Sequence, residues 1–300
     1  MKLKGFIDIH THGISRYDTR TENPDNILKI AELHATSGTA AILPAIYSGT
    51  IQQMRGNMEA VRKAIKIQDA RYRIQDKKNH LESCIVNRES RILGVHLEGP
   101  FLNPVRCGAQ DKSFFIKPSI SSLKKIIDGY ENIIKVITVA PELPGALKVI
   151  EKCSSLGIKV NMGHSDATYK QALDGKKAGA TGITHIFNAM RPFHHREPGL
   201  IGFGLLDEDI YIEVIADSAH IDTVALKLIF RSKRLDRIIL VSDSVKGKKD
   251  KRGRICSKPG VLAGSSITIS QAVRNIIKIG IPESIAIESA FDNPKRYLGV

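Results

Sequence analysis

The chain has 300 residues, 42% of them hydrophobic and 25% charged, an ordinary composition for a globular protein with a large core. No apolar run approaches the roughly eighteen residues of a membrane span, and Met1-Lys2-Leu3-Lys4-Gly5 carries no secretory apolar region, so a membrane or secreted protein is not expected. A net charge of +14 suits anionic ligands, but with 5% aromatic residues and no nucleic-acid motif, a Lys-rich solvated surface is the simpler account.

Eight β-like runs alternate with helical patterns: Phe6–His10, Ala40–Ile46, Ile92–Leu97, Ile134–Val139, Ile158–Met162, Gly182–Phe187, Tyr211–Ala216 and Ile238–Val241. Between them lie amphipathic stretches at Ile27–Thr36, Ile51–Arg73, Ser121–Tyr130, Ala146–Leu156, Tyr169–Ala178 and Thr223–Arg231. Gln75–Ser90 reads as an exposed helix extension or loop, and Lys246–Pro259 as a basic, Gly-containing loop. Helices near Ser270–Lys278 and Ser284–Phe291 follow. Strand and helix repeated eight times is the order of an α/β protein of the (β/α)8 TIM-barrel type. An open doubly wound sheet is the alternative, weakened because no Gly-x-Gly-x-x-Gly follows the first run. No linker or internal repeat divides the chain, so a single barrel domain spanning 1–300 is expected. Cys84, Cys107, Cys153 and Cys256 form no CxxC pair and read as free thiols of a reducing cytoplasm.

The polar groups of interest follow these runs, where barrel enzymes place their active sites. Asp8-Ile9-His10-Thr11-His12 ends the first run, and the strand period of two puts His10 and His12 on one side, within reach of one divalent ion. Glu98 ends the third run, with His96 on the same side one layer deeper, where a packed role is expected. His164 follows the fifth run, His185 lies in the sixth and Asp243 follows the eighth. A carboxylate with two imidazoles leaves a coordination position open for water, as a catalytic site requires. Asp243 is a candidate to move a proton from that water to a leaving group. No lysine follows Val139, so Glu98 would have to bridge if two ions bind. Carboxylate and imidazole donors suit Zn, Fe, Mn or Co. An isolated member of this set would read as a hydrogen-bonded core histidine or a loop-capping Asp.

His96-Leu97-Glu98-Gly99-Pro100-Phe101, Gly163-His164-Ser165, His185-Ile186-Phe187-Asn188-Ala189-Met190, His195-Arg196-Glu197-Pro198-Gly199 and Leu262-Ala263-Gly264-Ser265 resemble the N-acetylglucosamine-6-phosphate deacetylases of the amidohydrolase superfamily. The resemblance runs from about Phe6 to about Gly299. It implies a first divalent metal on Glu98, His164 and His185, a second on His10 and His12, and Asp243 as the acid/base. It implies that Asn188 and Ala189 meet the phosphate side of the sugar, and that Arg196 and His220 donate to the phosphate. Ala109 and the turn Leu262, Ala263, Gly264 and Ser265 would line the sugar pocket. Part of the phosphate site can come from a neighbouring subunit in this family, which implies a homodimer. Two departures stand out. The small β-sandwich domain usual in the family has no counterpart in the sequence, and Gln110 stands where some members carry a substrate-contacting His; Gln can donate a hydrogen bond but carries no charge. The expected activity is hydrolysis of the acetamide of N-acetylglucosamine 6-phosphate. The alternatives are a deacetylase for the galactosamine epimer and a non-catalytic sugar-phosphate sensor. Neither nucleic acid nor membrane is an expected partner.

Overall fold

Apolar, β-branched runs alternate with capped amphipathic stretches, and each run must bury both faces, one toward its neighbours' side chains and one toward a helix. The computed structural model describes residues 5–78, 89–248, 250, 254–258 and 260–300. Among them the runs become eight parallel strands: β1 Phe6–Thr11, β2 Thr39–Ile46, β3 Val95–Glu98, β4 Ile134–Val139, β5 Lys159–Met162, β6 Gly182–Ile183, β7 Tyr211–Ile215 and β8 Ile238–Val241. Neighbours pair in chain order from β1 to β8. The ring closes beyond β8, where the Asp243 N–H donates to the His10 carbonyl at 2.9 Å and the His12 N–H to the Ser244 carbonyl at 2.8 Å. The fold is therefore a (β/α)8 barrel and not an open sheet.

Helices α1 Pro24–Ala35, α2 Ile51–Lys78, α3 Ile120–Ile127, α4 Ala146–Ser155, α5 Tyr169–Lys177, α6 Gly199–Leu206, α7 Thr223–Ser232, α8 Ile269–Lys278, α9 Glu283–Ala290 and α10 Asp292–Leu298 surround it. Local chemistry sets several starts. Pro24 opens α1 while the Asn23 side chain accepts the Asp25 N–H. Thr168 and Gln171 form a reciprocal capping box at α5. One core layer lies between strands and helices, with Ile42, Ile137, Val160, Val214 and Leu240 against residues such as Ile27, Val61, Val149 and Leu226. A second fills the lumen with Ile7, Ile9, Ala41, Leu43, Val136, Ile215, Ile239 and Val241, joined by Tyr297 of α10. Tyr297 reaches the strands' N-terminal ends, at Thr181 and against the ring of Tyr211.

The structure departs from the sequence expectations at five places. The third run is broken: Arg91–Ile92 pairs with β2, and Gly94 at φ 150° turns the chain before β3, where an added Cβ would strike the Ile133 carbonyl. The sixth run ends as a strand at Ile183, because the backbone enters the left-handed region at His185 and Phe187. Helix α6 was not expected. Its sequence Gly-Leu-Ile-Gly-Phe-Gly-Leu-Leu is buried on nearly every side, so it shows no amphipathic period. Helix α10 was also unexpected; Pro294 in its first turn interrupts the pattern. The Lys246–Pro259 segment is not all loop: β9 Ile255–Lys258 pairs antiparallel with β10 Val261–Gly264, and this hairpin lies against the residues following β8. Of Gln75–Ser90, helix α2 includes the first four residues, and 79–88, with Cys84, lie outside the described residues. Cys107, Cys153 and Cys256 are free thiols. No helix among the described residues is long and apolar enough to cross a membrane.

Candidate metal centre

The first two histidines owe their placement to a bulge in β1. Asp8 pairs with Ile42 but Thr11 with Pro44, so β1 holds one extra residue across this interval. His10 and His12 share a face as their spacing predicts, with their Nε2 atoms 3.2 Å apart. Asp8 serves the backbone instead: its Oδ1 accepts the His10 and Ser242 N–H groups, each at 3.2 Å.

Glu98 at the end of β3 meets His164 beyond β5 and His185 beyond β6. Its Oε1 lies 3.1 Å from His164 Nε2 and 3.0 Å from His185 Nε2, and the two imidazole nitrogens are 3.2 Å apart. Its Oε2 lies 3.2 Å from His12 Nε2. Asp243 Oδ1 faces both His10 Nε2 and His12 Nε2, at 3.8 and 3.6 Å. His164, His185 and Asp243 all have positive φ, at 46°, 29° and 45°. Such backbone strain in residues other than glycine concentrates at functional sites. His96 is a packed group, bonded through Nδ1 to the Ile9 carbonyl and through Nε2 to the Thr138 hydroxyl, at 3.0 and 2.8 Å.

The far nitrogens fix the chemistry of the near ones. His12 Nδ1 lies 3.0 Å from the Ala45 carbonyl, His164 Nδ1 3.0 Å from the Arg106 carbonyl, and His10 Nδ1 2.9 Å from Glu213 Oε2. A carbonyl or ionised carboxylate oxygen can only accept, so each of these Nδ1 atoms carries a proton, and the neutral form of each ring presents its Nε2 lone pair to the centre. In that form the His10 and His12 lone pairs, 3.2 Å apart, would be drawn together by a cation between them. Among the described residues three groups have ligand atoms within 4.8 Å of one another; two face the cavity, Glu98 with His164 and His185, and His10 with His12 and Asp243, while the third, His10 with His96 and Glu213, lies in the buried lumen. This donor set fits a divalent metal.

The two carboxylates of the site are driven in opposite directions by their surroundings. Burial alone would raise the Glu98 carboxyl, but the charge of His164 and hydrogen bonds from His12, His164 and His185 outweigh it and hold Glu98 well below the usual carboxylate range. Burial, reinforced by the negative charges of Glu98, Glu213, Asp8 and Asp217, pushes Asp243 well above that range. Burial lowers His10, keeping its imidazole neutral and able to donate a lone pair.

A cavity of about 960 Å³ opens onto this centre. His12, Glu98, His164, His185 and Asp243 line its floor, and Ala109, Gln110, Asn188, Ala189, His220, Leu262, Ala263 and Gly264 line its walls. His10 lies beneath, fully buried. Gln110 donates to Glu98 Oε2 at 2.6 Å and accepts the Ser48 N–H at 3.1 Å. Asn188 Nδ2 donates to the carbonyls of His185 and Ile186. His220 Nδ1 is 2.7 Å from Asp217 Oδ2. Two expected residues do not line the cavity. Ser265 is buried, and its hydroxyl donates to the Ser242 carbonyl, so it secures the loop after β8. Arg196 is exposed, with its guanidinium beside His195. Other residues were missed by the sequence reading. Tyr47, one residue past β2, stacks on His12 at 3.7 Å, and Arg20 covers Tyr47 at 4.6 Å. Glu213, which fixes His10, is a lone carboxylate in the apolar run of β7; that isolation was the available signal.

No protein-family model matches the chain. It is 35% identical over 288 residues to the N-acetylglucosamine-6-phosphate deacetylase of Bacillus subtilis (strain 168), covering 91% of this chain and 69% of that one. The chain belongs to the N-acetylglucosamine-6-phosphate deacetylase family. It is also 30% identical over 310 residues to the N-acetylgalactosamine-6-phosphate deacetylase of Escherichia coli O157:H7, covering 98% of this chain and 77% of that one. Among solved structures, a variant of the Mycobacterium smegmatis N-acetyl-D-glucosamine-6-phosphate deacetylase in complex with N-acetyl-D-glucosamine-6-phosphate superimposes with a TM-score of 0.87 at 25% identity, covering 99% of this chain and 78% of that one. In this deacetylase family member, the two donor groups and the cavity above them occupy the C-terminal face of the barrel, where the fold carries its chemistry.

Proposed function

We propose that the chain hydrolyses the acetamide of N-acetylglucosamine 6-phosphate to glucosamine 6-phosphate and acetate, with a divalent metal held at its centre. The observation that carries this reading is the convergence of Glu98, His164 and His185 on one point beside Asp243, at the floor of a sugar-sized cavity. Glu98, His164 and His185 would hold the first ion. His10 and His12 would hold a second, beside Glu98, whose Oε1 lies near His164 and Oε2 near His12. The bound metal supplies Lewis acidity toward the acetyl carbonyl and the attacking water. Asp243 moves the proton: its Oδ1, facing His10 and His12 at the cavity floor, would take the proton from water and release it to the departing nitrogen. An amine leaves poorly as an anion, so this second transfer is chemically required.

The cavity wall serves recognition. Ala109 and the Leu262–Gly264 strand would flank the sugar and Asn188, Ala189 and His220 would meet the 6-phosphate, a reading supported by their lining one cavity. Arg196 is exposed in its own subunit, which favours service in the pocket of a second copy and hence a homodimer. Free thiols fit a cytoplasmic location.

The deciding experiment is acetate release from a panel of N-acetyl amino-sugar phosphates with Zn, Fe, Mn or Co added. Metal-dependent release from the glucosamine 6-phosphate derivative is the expected result. Faster release from the galactosamine epimer would move the assignment to that substrate. Tight binding without acetate release would make the chain a sensor.

A further inference from the structure

We infer that Glu213 is a positioning residue for His10, anchored through Asn161 and Tyr297 to the C-terminal helix. This rests on the reading that His10 serves a second ion. The lumen of this barrel is apolar at its lower layer, yet a continuous polar line crosses it. The Tyr297 hydroxyl donates to Asn161 Oδ1, Asn161 Nδ2 donates to Glu213 Oε1 at 2.7 Å, and Glu213 Oε2 accepts the His10 Nδ1–H at 2.9 Å. Glu213, Asn161 and Tyr297 are each at most 3% exposed. Burying this carboxylate is costly unless its hydrogen bonds are met, so its presence calls for a role.

The polarity of the line is determined at both ends. Asn161 Nδ2 can only donate, so Glu213 Oε1 accepts from it, and Oε2 faces His10 Nδ1 and also accepts the His185 backbone N–H at 3.4 Å. With its NH2 on Glu213, Asn161 turns its oxygen to the Tyr297 hydroxyl. The imidazole of His10 consequently carries its proton on Nδ1 and presents Nε2 to the centre. Room for the line is reserved as well: a Cβ at Gly182 would collide with Asn161 Oδ1 and lie 3.0 Å from Tyr297 Oη. His12 and His164 are oriented by neutral carbonyls, and His185 Nδ1 has no partner. Among the four inward-facing histidines of the two donor groups, His10 alone has a carboxylate behind it. A carboxylate raises the basicity of the imidazole it orients, and loss of such a partner typically weakens metal binding about 10–100-fold.

The test uses the full-length protein in three forms: wild type, Glu213→Gln and Tyr297→Phe. Zinc content and affinity are measured by competition with a chelator, and His10→Gln marks which ion belongs to His10. The imidazole tautomers of the metal-free wild type are read by long-range 1H–15N correlation. The expected results are an Nδ1–H tautomer for His10 and a loss of about 10–100-fold in affinity for the ion that His10→Gln removes, with the other ion unaffected in Glu213→Gln. Tyr297→Phe should act in the same direction and less. A merely structural Glu213 would weaken both ions together, or lower thermal stability with neither affected; either result overturns the inference, as does an Nε2–H tautomer of His10. If Glu213→Gln does not fold, Tyr297→Phe decides. If the wild type never binds a second ion, the two-ion reading fails separately, and the tautomer alone judges the positioning of His10.

Discussion

The two donor groups of the centre are built by different means. Glu98, His164 and His185 come from three strand ends, and both of their imidazoles sit on strained backbone just past the strands. His10 and His12 come from one bulged strand, two residues apart, with Tyr47 stacked on one ring and Glu213 behind the other. The first group depends on three loops agreeing in space; in the second, a single strand sets both imidazoles and the loop after β8 adds Asp243. Exposure divides the second group rather than the two groups: Asp243 is 8% exposed and His10 0%, against 5% for His164 and 4% for His185. His10 therefore completes the site from below, while the other members line the cavity floor. Glu98 belongs to the first group and also touches the second, its Oε2 lying 3.2 Å from His12 Nε2 and its Oε1 3.6 Å from His10 Nε2.

That shared carboxylate offers the hardest test of the comparison. Glu98→Gln should remove metal from both groups and reduce acetate release to background, measured by elemental analysis and turnover on one preparation. Retention of one ion would show that the groups are independent. Next in size is Asp243→Asn, which keeps the shape but cannot accept a proton; turnover should fall about 10²-fold or more with metal content retained. Near-wild-type turnover would assign the proton transfer elsewhere.

Arg196→Ala lies outside both groups and should spare the metal. If it meets phosphate, losing a charge-assisted contact of about 1.5–3 kcal/mol should slow the phosphorylated sugar roughly 10–10²-fold. The unphosphorylated analogue should be unchanged, and equal losses on both would refute the role. Gln110→Ala removes the donor that holds Glu98 Oε2, the oxygen facing His12. Metal affinity should fall by about 10-fold, the lower end for partners of metal ligands; unchanged affinity would make Gln110 a substrate contact only.

A last effect, on stability rather than turnover, concerns the seam behind the second group, where His34 Nε2 lies 3.0 Å from the Thr11 hydroxyl. Burial pushes His34 down to about 4. The unfolded chain, with its ordinary value of 6.5, therefore binds more protons between those limits. The contribution is intact above pH 6.5 and is lost as pH falls toward about 4, a swing on the order of 3 kcal/mol. Urea unfolding at pH 7 and pH 5 should show the decline, and His34→Gln should flatten it; an unaltered slope would place the acid sensitivity elsewhere.

The strand order, the barrel and the ligand types were legible because each is a local property. Apolar runs of the right length alternate with amphipathic ones, and His10, His12, Glu98, His164, His185 and Asp243 each stand at or just beyond a run, where the fold exposes them on one face. The family followed from short motifs around those same residues. Helix α6 was illegible because burial on all sides erases the period that marks a helix, and the break at Gly94 depends on a contact with Ile133 distant in sequence. Tertiary structure alone decided that Asp8 caps backbone N–H groups, that Ser265 ties a loop, that Arg196 stays outside its own cavity, and that Glu213 and Tyr297 lie on one line to His10. Hydrogen-bond direction and side-chain placement across the lumen arise from residues far apart in sequence, 203 positions for His10 and Glu213 and 234 for Asp8 and Ser242, and no periodicity along a single strand encodes such a pairing.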